Sequence, residues 1–336
     1  MFAVALLTLG ASVASHADSS LTNRRDKALE GIKACLHRNE VASRECKHLN
    51  QNVETLVEVY RSGDKSVLPT LFRFTYLTDF YGEALLSDPE GFLSAVTELP
   101  EREQREVADG IAGRHFKPLE KARFEAVRAV LTGVPESSPT SRVAQLCLKK
   151  LETNNASLFL NYFPPQTFTS RGANFRIFWF SRDLYAMEEK PLWPPSSSPH
   201  TTYRFTYLGA FGGKKVVTLT ASTDDKASVR IKVMHASHDA METDNTLTVE
   251  PDKIANFSTA LAKVDFWNMQ PEESEIGSTL RSDGAEWMLE GVQNGEYHIV
   301  ARWCPATQSH SPQSLAFADA ARLLLEFAGY KNKGNC

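Results

Sequence analysis

The chain has 336 residues, with 37 Lys and Arg against 41 Asp and Glu, a net charge of -4, 42% hydrophobic and 10% aromatic residues, and five cysteines. That length suggests two domains, each able to bury a core without a metal or a disulfide framework. A pI near 6.2 with no basic block argues against nucleic acid as the main partner, and a mean hydropathy of -0.31 excludes a multispanning membrane protein.

Residues 1–17, MFAVALLTLGASVASHA, hold no Lys, Arg, Asp or Glu, and their apolar run passes into small residues. This reads as a signal peptide with Ser15 and Ala17 marking cleavage before Asp18. The run is too short to span a bilayer core of roughly 30 Å. No basic residue precedes it, which points to a start a few residues upstream, and no Cys follows it, so a bacterial lipid anchor is not indicated. A greasy N-terminal helix is the plainer reading. The expected mature protein is periplasmic or secreted and has no membrane span once the signal is removed.

Export changes the meaning of the cysteines, because thiols pair in oxidising compartments. Cys35 with Cys46 and Cys304 with Cys336 are the expected bridges, leaving Cys147 as a buried free thiol. Cys35, His37, Cys46 and His48 also form a C-x-H…C-x-H set. Its spacing departs from that of structural zinc sites, and residues two apart on a helix point to different faces.

Positions 18–135 read as a helical domain. Leu29, Ile32 and Leu36 form one stripe; Val53, Leu56, Val57 and Tyr60 form another, continued by Val67, Leu68, Leu71, Phe72, Thr75 and Tyr76. Asp88-Pro89-Glu90 is a helix start, Pro100-Glu101 and Lys117-Pro118 open further segments, and Gly63, Gly113 and Gly133 mark stops. Six or seven helices of roughly 11 to 17 residues follow, as a HEAT-like array or an irregular bundle. The linker 132–139 ends this pattern, and a boundary falls there or just after the helix from Ser141 to Leu151.

Beyond the linker the period is two, and 140–336 reads as an α+β domain built on an antiparallel sheet. Ser157–Phe163 and Asn174–Phe180 are aromatic-rich strand candidates. Tyr203–Leu208, Val216–Thr220 and Val229–Val233 make a meander. A long irregular excursion, Ser181–His200, carries Trp193 in a Leu-Trp-Pro-Pro run that either binds a partner or covers the sheet. A helix follows Glu250-Pro251, and another closes the chain from Leu315 to Tyr330. Between them, Asn294-Gly295 is a strong hairpin signal that fixes a type I′ turn and a register in which paired numbers sum to 589. Trp287 then faces Arg302, whose guanidinium could lie over the ring, and both are candidate binding residues.

Phe266-Trp267, Asp283-Gly284-Ala285-Glu286-Trp287, Leu289-Glu290-Gly291, Gly295-Glu296-Tyr297-His298 and Arg302 carry a resemblance. The last third of the chain resembles a family of uncharacterised exported bacterial proteins reading F-W…D-G-x-x-W-x-L-E-G-x-x-x-G-x-Y-H…R. The family has no assigned activity, so the resemblance implies an exported bacterial protein and nothing catalytic.

The candidate catalytic residues are Asp283, Glu290 and His298. The register opposes them: Glu286 and Glu290 share a face but lie roughly 13 Å apart, beyond a glycosidase carboxylate pair, and His298 points to the other face. His235 and His238, with Asp239, form the one loop cluster that could bind a metal, with a solvated turn as the simpler reading. Nucleophile-elbow, zincin, P-loop and dinucleotide motifs are absent, and no cofactor is expected. The resulting expectation is an exported binding or interaction module whose partner is an envelope protein or a small ligand. The alternative is an envelope-directed hydrolase with a site between the two domains.

Overall fold

The structure, a computed structural model, describes residues 5–36, 44–74, 77–113, 118–170, 172–196, 200–209, 213–222, 227–235, 241–272, 284–306 and 311–330, with side chains from Ser20 onward except those of Arg44, Glu45 and Thr78. It has the expected α+β composition and divides into two compact units, one closing at Asn154 and the other opening at Asn155.

The first unit holds α1 (Ala5–Leu36), a 3-10 turn (Arg44–His48), α2 (Leu49–Arg61), α3 (Leu68–Leu71), α4 (Thr78–Ser87), α5 (Pro89–Thr97), α6 (Glu101–Ala112), α7 (Lys121–Thr132) and α8 (Ser141–Asn154). Helix α1 runs through the expected cleavage point. Among the described residues no helix is long and apolar enough to cross a membrane. The α2 stripe Val53, Leu56, Val57 and Tyr60 is buried as its spacing predicts. Asp88 caps α5, its Oδ1 accepting the Gly91 N–H at 3.1 Å. Gly113 ends α6 at φ +94°, a left-handed conformation that favours glycine, whereas Gly133 ends α7 right-handed at φ -74° and needs none.

The stripe from Val67 onward is not one helix. It breaks after α3, and the buried Tyr81 hydroxyl is shared between the carbonyls of Leu71 at 2.9 Å and Phe74 at 3.0 Å, which also accept the backbone N–H groups of Phe74 and Leu77, so α4 is tied to the end of α3. Helix α8 packs between α6 and α7, both of which also touch α4. The helical unit therefore runs past the linker 132–139 and takes in the helix that follows it.

The second unit is a six-stranded antiparallel sheet with helices on both faces. Its elements are α9 (Ala173–Ala186), β1 (Thr201–Gly209), β2 (Lys214–Ala221), β3 (Ala227–Met234), β4 (Met241–Val249), α10 (Pro251–Lys263), β5 (Ala285–Gln293), β6 (Glu296–Trp303) and α11 (Pro312–Phe327), with strand order β4-β3-β2-β1-β5-β6. One face packs Phe205, Leu219, Val229, Trp287 and Val300 against α10 and α11. The opposite face packs Leu208, Val216, Met288 and Ile299 against α9 and the aromatics Tyr162, Phe163 and Phe168.

The meander stands where the alternation put it. Every pair of the β5–β6 hairpin has the expected register, with Trp287 opposite Arg302 and Glu290 opposite Ile299. Its turn has Asn294 at φ +54° and Gly295 at φ +78°, both left-handed as type I′ requires. Two strand expectations are corrected. Asn174–Phe180 lies in α9, where Phe180, Leu184 and Met187 are fully buried and Ile177 partly so, a three-four-three spacing hidden by surrounding aromatics. Within Ser157–Phe163 the chain makes only a 3-10 turn, Ala156–Leu158. The first residues of the expected excursion, Ser181–Ala186, complete α9.

Candidate functional site

Three charged residues alternate inward on the α9 face of the sheet. Arg204 on β1 pairs bidentately with Glu290 on β5, Nε to Oε2 at 2.6 Å and Nη2 to Oε1 at 2.8 Å, and neither side chain has any exposure. They are direct cross-strand partners. Tyr297 donates to Glu290 Oε1 at 2.9 Å, and burial pushes its phenol well above the usual range. The third is Lys232 on β3, whose Nζ lies 3.0 Å from Glu189 Oε1; Glu189 also sits 3.6 Å from Arg204. Lys232 donates to the carbonyls of Met187 and Glu188, and Arg204 to that of Lys190. Two acids and two bases close a neutral network that clamps the turn after α9, residues 187–190, onto the sheet. Burial works against the Arg204 charge, and Glu290 more than offsets it, so the guanidinium pKa is raised.

Glu290 is therefore a structural anion, which removes it as a free general base. In the sequence Arg204, Lys232 and Glu290 alternate with apolar neighbours, the pattern of a solvated strand face, so their burial is visible only in the structure.

His298 lies on the opposite face, as the register predicts, in an aromatic box. Its ring centroid is 5.0 Å from Phe266 and 6.0 Å from Trp267. Burial lowers its pKa, hydrogen bonds to the backbone of Met269 and Phe266 act against that, and the nearby Arg302 lowers it further. Gly291 is the residue opposite, and a Cβ there would come within 2.9 Å of Phe266, 3.1 Å of Tyr203 and 3.2 Å of Trp267. The F-W, G and H of the resemblance thus meet in one packing cluster.

Trp287 is fully buried, and the expected stacking partner is corrected: Arg322 of α11 lies over its ring at 5.9 Å, while Arg302 lies 6.0 Å from Phe317. Arg302 instead donates to the carbonyls of Gln270, Pro271 and Ala301. Trp193 is partly buried beside a cis peptide to Pro194.

Cys35 and Cys46 form the expected disulfide, so the two thiols of the possible zinc set are bonded to each other. Cys304 is also disulfide-bonded, Cys147 is free and buried, and Cys336 lies outside the described residues. Asp283, His238 and Asp239 lie outside them too. His235 is half-exposed, with Nε2 4.0 Å from Glu242 Oε1. Three strand positions separate β3 from β5, so Glu290 and the end of β3 beyond Arg230 stand about 20 Å apart. The structure does not bring Glu290 and His235 together. Among the described residues no group of three metal-ligating side chains converges.

The helical unit holds a different kind of site. A groove of about 520 Å³ is lined by Leu29, Ile32, Lys33 and Leu36 of α1 and by Pro69, Thr70 and Arg73. Its size falls within the range of ligand pockets, about 300 to 1,000 Å³. The sequence stripe of α1 splits here. Ala28, Ile32 and Cys35 are buried, whereas Leu36 is 38% exposed and Leu29 only partly covered. Lys33 and Arg73 have exposed side chains that make no ion pair or side-chain hydrogen bond among the described residues. The groove thus combines apolar walls with two cations that have no acidic partner among the described residues, and the Cys35–Cys46 bridge fastens the turn of α1 that supplies Leu36. Sequence reading assigned the stripe to the core and missed the groove, because Pro69 and Arg73 lie far along the chain.

No protein-family model matches the chain, and no curated protein matches it.

Proposed function

We propose that this chain is an exported binding protein whose helical unit takes an anionic amphiphile, an acyl chain with a carboxylate or phosphate head. The observation that carries the reading is the groove, where Leu29, Ile32, Leu36 and Pro69 offer apolar surface beside Lys33 and Arg73. Burying an acyl chain releases roughly 0.8 kcal/mol per methylene, and an anionic head group near Lys33 and Arg73 gains Coulomb energy that a neutral head cannot. Export is supported by the signal-like segment, by the disulfides and by the resemblance to exported bacterial proteins.

Calorimetric titration of the purified chain with dodecanoate, dodecanol and dodecylammonium tests the ligand class. The expected order places dodecanoate at least tenfold tighter than the other two. Lys33→Glu with Arg73→Glu, both on exposed side chains, should remove that preference while leaving the circular dichroism spectrum unchanged. Equal affinity for all three, or none, would overturn the ligand class. Export is tested separately by fusing residues 1–40 to a phosphatase that is active only outside the cytoplasm. Activity and a mature N-terminus at Asp18 are expected, and an inactive, uncleaved fusion would overturn export.

A further inference from the structure

On the sheet face that packs against α10 and α11, strand pairing sets Trp287 of β5, Tyr207 of β1 and Lys215 of β2 side by side. The next row, at the end of the sheet, is Ala285, Gly209 and Gly213, which bring one methyl group between them. Two large rings and a lysine therefore border a row that fills little space. A cation stands over each ring. The Arg322 guanidinium of α11 lies 5.9 Å from the centre of the Trp287 ring, and the Lys215 Nζ lies 4.8 Å from that of Tyr207. The rings meet edge to face, 6.0 Å apart.

Donors outnumber acceptors at this place. Trp287 is fully buried, and its Nε1–H has no hydrogen-bond partner among the described residues. The buried Nε–H of Arg322 has none either, and the guanidinium is engaged only through Nη1, which donates to Asp319 Oδ1 at 3.1 Å. An indole nitrogen donates and never accepts. Buried donors are nearly always paired, so two of them against one ring call for an acceptor from outside the chain. The Arg322 side chain is 31% exposed, which gives such an acceptor a route from solvent. Lys215 is half-buried and makes no ion pair among the described residues; burial lowers its pKa, with Glu242 acting weakly the other way.

Charge and shape select the acceptor. Asp319 already balances Arg322, which leaves Lys215 as the one uncancelled charge beside the rings and favours a singly charged anion. The Nε–Nη2 edge of a guanidinium matches the two oxygens of a carboxylate, and an indole N–H adds direction without adding charge. Arg302, opposite Trp287 in the hairpin, is engaged with the carbonyls of Gln270, Pro271 and Ala301. We propose that Trp287 Nε1 and the Nε–Nη2 edge of Arg322 bind a carboxylate group, with Lys215 supplying the balancing charge, at a site of the second unit that is independent of the groove in the first.

Nitrogen-15 NMR of the purified full chain reads this site at one atom, the indole Nε1–H of Trp287. The probes are acetate, its uncharged isostere acetamide, and the dianion sulfate, at neutral pH and constant ionic strength. Acetate should move the Trp287 indole resonance saturably at millimolar concentrations, and the other two should not. Arg322→Lys keeps the charge but loses the planar edge, and should raise the acetate dissociation constant at least tenfold with an unchanged circular dichroism spectrum. Lys215→Met should raise it roughly threefold or more. Lys33→Glu with Arg73→Glu should leave the response as in the wild type, so the groove and this site stand or fall separately. An indole resonance that ignores acetate would overturn the proposal, because water alone would then satisfy both donors. So would an equal response to acetamide or sulfate, wild-type acetate binding by Arg322→Lys or by Lys215→Met, or loss of the response in the Lys33 and Arg73 double variant.

Discussion

Glu290 has no exposure, and its charge is matched by Arg204 at 2.6 Å. Removing one member of such a pair strands the other. Glu290→Gln should therefore destabilise the protein by about 3–5 kcal/mol in chemical denaturation. Replacing Arg204 and Glu290 together by methionine should cost less than the single change, since Glu189 keeps Lys232 as a partner at 3.0 Å. A double variant weaker than the single would contradict the closed-network account. His298 makes a second prediction through pH. Its folded pKa is lowered, chiefly by burial, so between that value and the unfolded value of about 6.5 the unfolded chain binds more protons. Its contribution is intact above pH 6.5 and is lost as pH falls through that value toward the folded pKa. Urea midpoints measured from pH 7.5 to 5.5 should fall further for the wild type than for His298→Gln, and parallel curves would refute this. At Gly291 the geometry is steric: a Cβ 2.9 Å from Phe266 forces rigid rings apart, so Gly291→Ala should cost about 1–3 kcal/mol.

At the scale of elements, what the sequence revealed depended on whether one local rule decided the outcome. Asn294-Gly295 admits one tight turn, and once it is placed every partner across β5 and β6 follows by counting, including the separation of Glu290 from His298. Gly295→Ala should accordingly weaken the fold by about 1 kcal/mol, since the turn holds φ at +78°, and a neutral effect in thermal denaturation would contradict the turn type. Helix α9 was misread because Phe175, Phe178, Trp179 and Phe180 suit strands and mask the helical stripe of Ile177, Phe180, Leu184 and Met187. Strand β4 gave no signal, as an edge exposed on both faces has no reason to alternate. The groove needs α1 and Pro69–Arg73 side by side, and the buried network needs β1, β3 and β5 on one face with Glu189. Such contacts between distant segments are set by packing, which neither periodicity nor spacing encodes.

For the whole molecule, the five cysteines make the history of the chain measurable. Cys35 and Cys46 are bonded across a separation of 11, and closing a loop of that size contributes about 3 kcal/mol in the chain-entropy account. Cys304 is bonded as well, while Cys147 is fully buried in α8 and its thiol is pushed up to about 12, chiefly by burial. A thiol with that pKa is almost wholly protonated at neutral pH, and the thiolate is the reactive form. A protein matured in an oxidising compartment should therefore resist iodoacetamide when folded and accept one label when unfolded in urea without reductant, with four more after reduction. Non-reducing peptide mapping should link Cys35 to Cys46 and Cys304 to Cys336. Five labels on the unfolded, unreduced chain would mean that it is not oxidised where it is made, and export would fall with that result. One label carried by a residue other than Cys147 would leave export standing and displace the bridges.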